Sequence, residues 1–371
     1  MSRVLARVKG SPTIFPFADS AAELLFGGRA LKTLQEEEAR AAGFDVVDVD
    51  EGAVYGAGVF AAVNADVVFN AAALSAVVDA SASRGKIVRA TVKHRTPLFT
   101  ASTRLLDVNG DLALPLIAGD LQGKRGFGAD EDVCVADEDG CVVVDTRPYG
   151  KAPHELRIAR VQRLLGRATH WLHVLDLSLA ALQTRLAHPT TTPHKPKKKP
   201  FIHPHAFVEN SVIGSGVRVE AGAAIIDSVV GDDVIVADHT VIHSSVIGDG
   251  CRTLVDTHLR RVVAMPGSTL SNLDMQDAIF GREIFLTTSA GYFADAPGRD
   301  VVVDGKDSGR AVLGGAIGAR TVLGSRALMR CGLALPPQLL VVARPGEALG
   351  KVDEKSLAKS LSKLGDRSRD V

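Results

Sequence analysis

Three histidines lie in a repetitive stretch of this sequence and could perform chemistry: His239, His243 and His258. An imidazole gains and loses a proton near neutral pH, so it suits a general base that acts on an amine or a hydroxyl. In the N-terminal half, Asp66 lies in the apolar run NADVVF. Ligands of α/β sheets bind at the carboxyl ends of the strands, so Asp66 is a candidate if its strand ends there. For each of these residues the alternative is an ordinary solvated side chain.

The histidines lie in a repeat of seventeen residues. The sequence reads SVIG from Ser211, SVVG from Ser228 and SVIG again from Ser245. Aliphatic residues in this block recur every five or six positions, which fits neither an α-helix nor a long strand. Such hexapeptide spacing predicts a parallel β-helix of short strands around one core, with glycine and aspartate at the corners. The hand of the coil does not follow from this spacing, and a right-handed β-helix or an ordinary β-sandwich is the alternative to a left-handed β-helix.

The repeat returns near the C-terminus. Aliphatic residues six apart run from Ile317 to Val341, so the β-helix is expected to span 201–350. Residues 274–312 break the period and contain VVVDGKDSGR, which predicts a hairpin around Asp304–Gly305. Regular coils present equivalent surfaces, so any chemistry is expected where the period starts to fail, at 258–273.

The rest of the chain divides by composition. Residues 1–186 predict an α/β domain, 187–200 a linker rich in proline and lysine, and 351–371 a helix with leucines at helical spacing. In the α/β domain the patterns predict helices at about 21–42, 71–84 and 170–186, parallel strands in DVVDVD, NADVVF and KIVRATVK, and a hairpin in VCVADEDGCVVVD.

Charge and composition exclude several classes of protein. The linker lysines Lys195, Lys197, Lys198 and Lys199 could contact nucleic acid or an acidic membrane. However, the chain has 43 basic and 43 acidic residues, so no wide basic face and no nucleic-acid partner are expected. No apolar run reaches the roughly 18 residues of a membrane span. The N-terminus lacks the features of a signal peptide, so we expect a cytoplasmic protein. Its four cysteines have no CxxC spacing and predict neither a zinc site nor a disulfide framework.

Four segments resemble bifunctional sugar-1-phosphate nucleotidyltransferase/acetyltransferases, in which an α/β catalytic domain precedes a left-handed β-helix. GSTLSNL (267–273) is similar to the family's G-T-x-T-A-N-L, and VVVDGKDSGRAVLGGAIG (301–318) to its V-x-V-D-G-K…T-G-R…L-G-A-x-I-G. In the N-terminal domain, LLFGGRALKTLQEEEARAAGFD (24–45) and VNADVVFNAAALSAVVDA (63–80) resemble the segments L-P-V-x-G-R-P-L-I…L-x-x-A-G and V-N-G-D-V-L-F.

The resemblance implies a role for particular residues. His258, shortly before the GSTLSNL match, would be the general base for acyl transfer, and Asn272 matches the family's asparagine in that motif. Asp66 stands where the family has an aspartate that holds Mg²⁺. The family implies acetyl-CoA or another acyl-CoA as donor, a sugar phosphate or nucleotide sugar as small-molecule partner, and a homotrimer.

The N-terminal domain departs from the family where catalysis needs it. The first thirty residues lack the glycine-rich loop that captures nucleotide phosphates, and no lysine directly precedes LLFGGR. The chain also reaches Asp66 early, so the segment that reads the base is missing. We therefore expect a transferase-like protein of sugar-nucleotide or cell-surface polysaccharide metabolism, with acyl transfer on the β-helix and an inactive nucleotidyltransferase domain. The alternative is a catalytically silent scaffold or regulator.

Overall fold

The structure is a computed structural model, and it describes residues 3–92, 112–135, 141–145, 155–159, 162–187, 198–292, 300–342 and 348–349. The chain divides into two compact units. The N-terminal unit comprises Met1–Ile14, Asp19–His194 and Lys306–Gly309, and the C-terminal unit comprises Phe15–Ala18, Lys195–Gly305 and Arg310–Val371. The predicted helix at 351–371 and most of the predicted linker, residues 188–197, lie outside the described residues. In the described part of the chain, the helices are too short or too polar to span a membrane.

The N-terminal unit combines α-helices with a mixed β-sheet. Its helices are α1 (Leu31–Ala41), α2 (Ala71–Arg84) and α3 (Trp171–Ala187), with a 3-10 turn at Ala21–Glu23. Its described strands are β1 (Arg3–Val8), β2 (Leu25–Phe26), β3 (Arg29–Ala30), β4 (Phe44–Val49), β5 (Val59–Asn64), β6 (Val67–Phe69), β7 (Val88–Val92), β8 (Leu112–Ala118), β9 (Glu131–Cys134), β10 (Cys141–Asp145), β11 (Glu155–Ala159) and β12 (Leu165–Arg167).

Six of these strands form the main sheet, in the order β4-β1-β5-β8-β7-β9. Strand β1 runs parallel to β4 and β5, so DVVDVD is a parallel strand as predicted, and β9 runs parallel to β7. The prediction of a parallel strand in NADVVF is wrong, because Val67–Phe69 forms β6, which pairs antiparallel with β12 in a separate two-stranded sheet. Strand β8 is antiparallel to both β5 and β7, so the sheet is mixed. Apolar residues of β1, β5 and α2 pack together in its core, among them Leu5, Val63 and Leu74.

Helix α2 has the predicted bounds because its start is capped. Asn70 Oδ1 accepts a hydrogen bond from Ala73 N at 3.0 Å, which satisfies a backbone donor that the first turn leaves free. The predicted helix at 21–42 is shorter in the structure and begins at Leu31. Gly27 and Gly28 have φ values of 57° and 80°, which a helix excludes, and they turn the chain between β2 and β3 instead.

The hairpin predicted in VCVADEDGCVVVD is not formed. Strand β9 pairs with β7, and strand β10 pairs with β11, which follows it in the chain. Ion pairs across the β7–β9 edge join Lys86 to Glu131 and Arg89 to Asp132, the latter at 2.7 Å. The alternating pattern identified both strands correctly. It did not predict their partners, because β9 pairs with β7, which is distant in the sequence, and the basic residues of these ion pairs lie on β7 or just before it.

The C-terminal unit is a coil of short parallel strands that stack into long sheets, as predicted for a β-helix. Within the described residues, face 1 has eight strands: Phe201–Ile202, Arg218–Val219, Ile235–Val236, Arg252–Thr253, Thr269–Leu270, Phe285–Leu286, Val322–Leu323 and Leu340–Val341. Face 2 has five: Phe207–Glu209, Ala224–Ile226, Val241–His243, His258–Arg260 and Asp274–Gln276. Face 3 has seven: Val212–Ile213, Val229–Val230, Val246–Ile247, Val263–Ala264, Ile279–Phe280, Ala316–Ile317 and Ala334–Leu335. A further three-stranded sheet contains Gly291–Tyr292, Leu328–Met329 and Ala348–Leu349.

The SVIG repeat is a structural device of the coil. Each serine hydroxyl oxygen accepts a backbone hydrogen bond from the next coil: Ser211 Oγ from Ser228 N at 3.0 Å, Ser228 Oγ from Ser245 N at 3.1 Å, and Ser245 Oγ from Val262 N at 3.0 Å. The second aliphatic residue of each motif packs in the core, with Val230 and Ile247 each 1% exposed. We call the three hydroxyl contacts the serine ladder.

The corner after face 2 needs a left-handed backbone at every coil. The residues there have φ values between 41° and 54°: Asn210, Asp227, Ser244, Arg261 and Asp277. Such angles cost free energy for most side chains, and the neighbouring coils offset part of this cost. Asn210 Nδ2 donates to Asp227 Oδ1 at 2.6 Å, and Arg261 forms an ion pair with Asp277.

The interruption of the coil is shorter than the predicted 274–312. Strands continue through Gly291–Tyr292, and the coil resumes at Ala316–Ile317. The sequence period fails earlier because one coil has sixteen residues instead of seventeen, so that His258 pairs with Asp274. Within the insertion, Val302–Val303 and Lys306–Asp307 form the predicted hairpin, and its turn residues Asp304 and Gly305 both have positive φ, at 48° and 80°.

Candidate functional site

His258 lies on the outer surface of face 2. It begins the strand His258–Arg260, whose middle residue, Leu259, is 0% exposed and points into the coil. Because side chains alternate along a strand, His258 and Arg260 both leave the coil on its outer side, and both are half-buried. The strand therefore offers an imidazole and a guanidinium to the same surface.

The outer surface of face 2 consists of two rows of side chains in register. The first row contains Phe207, Ala224, Val241, His258 and Asp274, and the second contains Glu209, Ile226, His243, Arg260 and Gln276. The first row is apolar until it reaches His258. The last two coils of this face thus place four polar side chains together, and we call His258, Arg260, Asp274 and Gln276 the polar patch.

Asp274 is the register neighbour of His258 on the next coil. Strands of one sheet lie about 4.8 Å apart, so a change of rotamer is enough to bring the carboxylate to the imidazole. Among the described residues, neither side chain has a hydrogen bond or an ion pair. Both groups are therefore available to a ligand.

Asn272 lies in the turn of the sixteen-residue coil, next to the polar patch. His258 N donates to Leu273 O at 3.1 Å, which places the turn beside the histidine. The side chain of Asn272 already has a structural use, because its Oδ1 accepts a hydrogen bond from Ser289 N at 2.9 Å. Its catalytic role stays a prediction.

The other two histidines occupy different positions. His239 is exposed at a corner, with φ of 56°. His243 lies in the second row of face 2, where its Nε2 is 3.9 Å from Asp227 Oδ2. Of the three histidines, His258 is the one in register with a free carboxylate, which favours it as the candidate base.

Asp66 lies between β5 and β6 of the N-terminal unit and is 0% exposed. Its Oδ2 accepts a hydrogen bond from Arg167 Nε at 2.7 Å, whereas its Oδ1 is buried without a partner. Burial raises the pKa of the Asp66 carboxyl, and the charge and hydrogen bond of Arg167 oppose this shift.

These surroundings do not fit a metal centre. Among the described residues, no group of three or more histidine, cysteine, aspartate or glutamate side chains could hold a metal ion. A single carboxylate rarely holds Mg²⁺ unless substrate phosphates complete the shell. Arg167 compensates one oxygen of the buried carboxylate, and the metal role of Asp66 stays a prediction.

Sequence reasoning missed most of the polar patch. Arg260, Asp274 and Gln276 carry no motif, but the repeat contains a usable signal, because each flanks an inward aliphatic residue at an outward position. Arg167 carries no comparable signal, because about one hundred residues separate it from Asp66.

Residues 201–264 match a family model described as GlmU-like, C-terminal hexapeptide. The match and the stacked parallel strands agree on a hexapeptide-repeat β-helix in this part of the chain. The matched residues include His239, His243 and His258 but stop before Asn272. No curated protein matches the chain. The resemblance of the N-terminal unit to nucleotidyltransferases and the left hand of the coil stay predictions.

Proposed function

We propose that this chain is a transferase of sugar-nucleotide or cell-surface polysaccharide metabolism whose β-helix transfers an acyl group to an amine or a hydroxyl. One observation carries the proposal. On a face whose first row is otherwise apolar, the last two coils place the half-buried His258 beside Asp274, Arg260 and Gln276. A site needs one place on a regular solenoid that differs from the rest, and the polar patch supplies it.

In the proposed reaction, His258 takes the proton from the acceptor as its nitrogen or oxygen bonds to the acyl carbon of an acyl-CoA thioester. The carbon–sulfur bond breaks, and the thiolate leaves with its electron pair and receives a proton. The carboxylate of the neighbouring Asp274 would accept a hydrogen bond from the other N–H of the imidazole. This bond orients the ring and stabilises its protonated form. Acetyl-CoA or another acyl-CoA is the proposed donor, and a sugar phosphate or nucleotide sugar is the proposed acceptor.

The test is thiol release from acetyl-CoA in the presence of amino-sugar phosphates. We expect His258→Ala to lower turnover by about a hundredfold, the usual scale for loss of a general base. His239→Ala is the matched control, because His239 is an exposed histidine of the same unit at a corner outside face 2. The proposal fails if His258→Ala turns over at the wild-type rate.

The N-terminal domain is proposed to be inactive as a nucleotidyltransferase. The sequence lacks the phosphate-binding loop, and the carboxylate of Asp66 is paired with Arg167. Mg²⁺-dependent release of pyrophosphate from any nucleoside triphosphate and sugar 1-phosphate, if abolished by Asp66→Ala, would contradict this part of the proposal.

The active form is proposed to be a homotrimer in the cytoplasm. Face 1 offers an apolar surface for such an assembly, since its outer row places Phe285, Val322 and Leu340 side by side. Phe285 is 47% exposed and Leu340 is 42% exposed, which is costly for large apolar side chains that have no partner.

A catalytically silent scaffold is the second candidate function. The serine ladder and the Asp66–Arg167 pair favour it, because both give structural uses to residues that the sequence singles out. Thermal-shift measurements with nucleoside triphosphates, sugar phosphates and acyl-CoA separate the two functions, because a ligand of the native state raises the transition temperature. A scaffold would show no shift with any of them.

A further inference from the structure

We propose that Arg260 binds the phosphate group of a phosphate-monoester ligand on face 2, with His243 and Gln276 on either side of it. This inference rests on the proposed function in one respect: if His258 transfers an acyl group, the phosphate site would make the acceptor a phosphorylated sugar. Arg260 and His258 lie two residues apart on one strand and leave the coil on the same side. A phosphate held by Arg260 would therefore keep its sugar over His258.

Within the part of the chain that the structure describes, Arg260 has no protein partner. Arg260 is half-buried, and among the described residues it makes no hydrogen bond or ion pair. Two other arginines of the same unit are paired, Arg218 with Glu220 at 2.8 Å and Arg320 with Glu283 at 2.9 Å, whereas Arg252, which the described residues leave unpaired, is exposed to water. Withdrawing a guanidinium from water costs free energy unless an anion compensates it, so this position suits an anionic ligand.

The neighbours of Arg260 suit a phosphate. In the second row of face 2, Arg260 lies between His243 on the preceding coil and Gln276 on the next coil. With strands about 4.8 Å apart, the row offers imidazole, guanidinium and amide donors over about 10 Å. A phosphate monoester has three terminal oxygens that can take donors from several directions, whereas a carboxylate has two oxygens in one plane. The acids nearby are Asp274 in the first row and Asp227 and Asp277 at the corner, and Asp277 is already paired with Arg261. Glu209 is in the second row but three coils away from Arg260, so the Arg260 end of this row is the favourable place for the anion.

The test is isothermal titration calorimetry with glucose 1-phosphate, inorganic phosphate and glucose. We expect the two phosphates to bind the wild-type protein and glucose not to bind. Arg260→Gln should weaken phosphate binding at least tenfold, because charge-assisted hydrogen bonds are lost. Arg260→Lys should give intermediate affinity, since the charge remains without the planar fork.

Arg252→Gln is the matched control. Arg252 is an exposed arginine on face 1, and it also lacks a bonded partner within the described residues. We expect this variant to bind phosphate within about twofold of the wild type, and circular dichroism should show all variants folded. Equal losses in the Arg252 and Arg260 variants would mean a diffuse charge effect and would overturn the inference. So would an unchanged affinity in Arg260→Gln or no phosphate binding by the wild type.

The outcome is separable from that of the proposed function. Phosphate binding that depends on Arg260, without any acyl transfer, would uphold the phosphate site and refute the transferase. Acyl transfer that depends on His258, without phosphate binding, would uphold the transferase and refute the phosphate site.

Discussion

Removal of the Ser228 hydroxyl tests whether the serine ladder stabilises the coil. Ser228 Oγ donates to Ile226 O at 2.6 Å and accepts from Ser245 N at 3.1 Å. In Ser228→Ala, Ile226 O keeps its other donor, Ser244 N at 3.0 Å. Ser245 N loses its acceptor, and because Ser245 is 0% exposed, water does not replace it. One orphaned buried donor should lower the free energy of unfolding by about 1–3 kcal/mol.

Ser211→Ala tests the same contact one coil earlier. It removes the acceptor of Ser228 N, and Ser228 is also 0% exposed, so this donor too is left without water. We expect a loss of the same size, about 1–3 kcal/mol. Urea unfolding at one fixed protein concentration, followed by circular dichroism, measures both variants, and an unchanged m-value shows that the native and unfolded states are comparable. Equal stability of either variant and the wild type would refute the reasoning.

Three further predictions concern other parts of the molecule. Tyr292→Phe should lower the free energy of unfolding by about 1 kcal/mol, because the buried hydroxyl has one proton to donate and lies within hydrogen-bond distance of two backbone carbonyl oxygens, at 2.7 and 2.8 Å; urea unfolding checks this. Burial raises the pKa of Asp66 above its ordinary 3.8, so the folded state binds the proton more tightly than the unfolded state. The stability contribution of this residue should be full below pH 3.8 and fall as the pH rises through the raised pKa; Asp66→Asn should flatten this slope in melting curves recorded against pH. Sedimentation at micromolar concentration should give a trimer, and Phe285→Ser combined with Leu340→Ser should give smaller species; a wild-type monomer would contradict the proposed assembly.

The sequence predicts the β-helix well because one local rule recurs in every coil. Each inward position must hold a side chain that fits the same core, so Ile225, Ile242 and Leu259 stand at a fixed interval and pair in register. The shortened coil changes the interval by one residue. For this reason the seventeen-residue period did not predict the strands at 274–292. The coils still stack in spite of the missing residue, because Asn272 in the turn accepts a hydrogen bond from Ser289 N of the next coil.

Long-range pairing is what the sequence does not reveal. Helix α2 is local, and its capping residue Asn70 stands next to it in the chain. The partner of Asp66 is Arg167, on β12, and the pairing of β12 with β6 that places it there depends on the whole unit. The polar patch falls between these cases: its residues follow from the coil geometry, whereas the choice of His258 among three histidines needs the register of face 2.

The insertion after Tyr292 has a consequence for how such a chain can change over evolutionary time. Phe280 lies directly beside Ile317 on face 3, although the insertion separates them in the sequence. Strand pairing on both sides is therefore independent of how many residues the insertion contains. The free energy of closing a loop grows only with the logarithm of its length. The length of this segment can consequently change while the alignment of the flanking coils is kept, provided that the buried residues Val301 and Val303 remain.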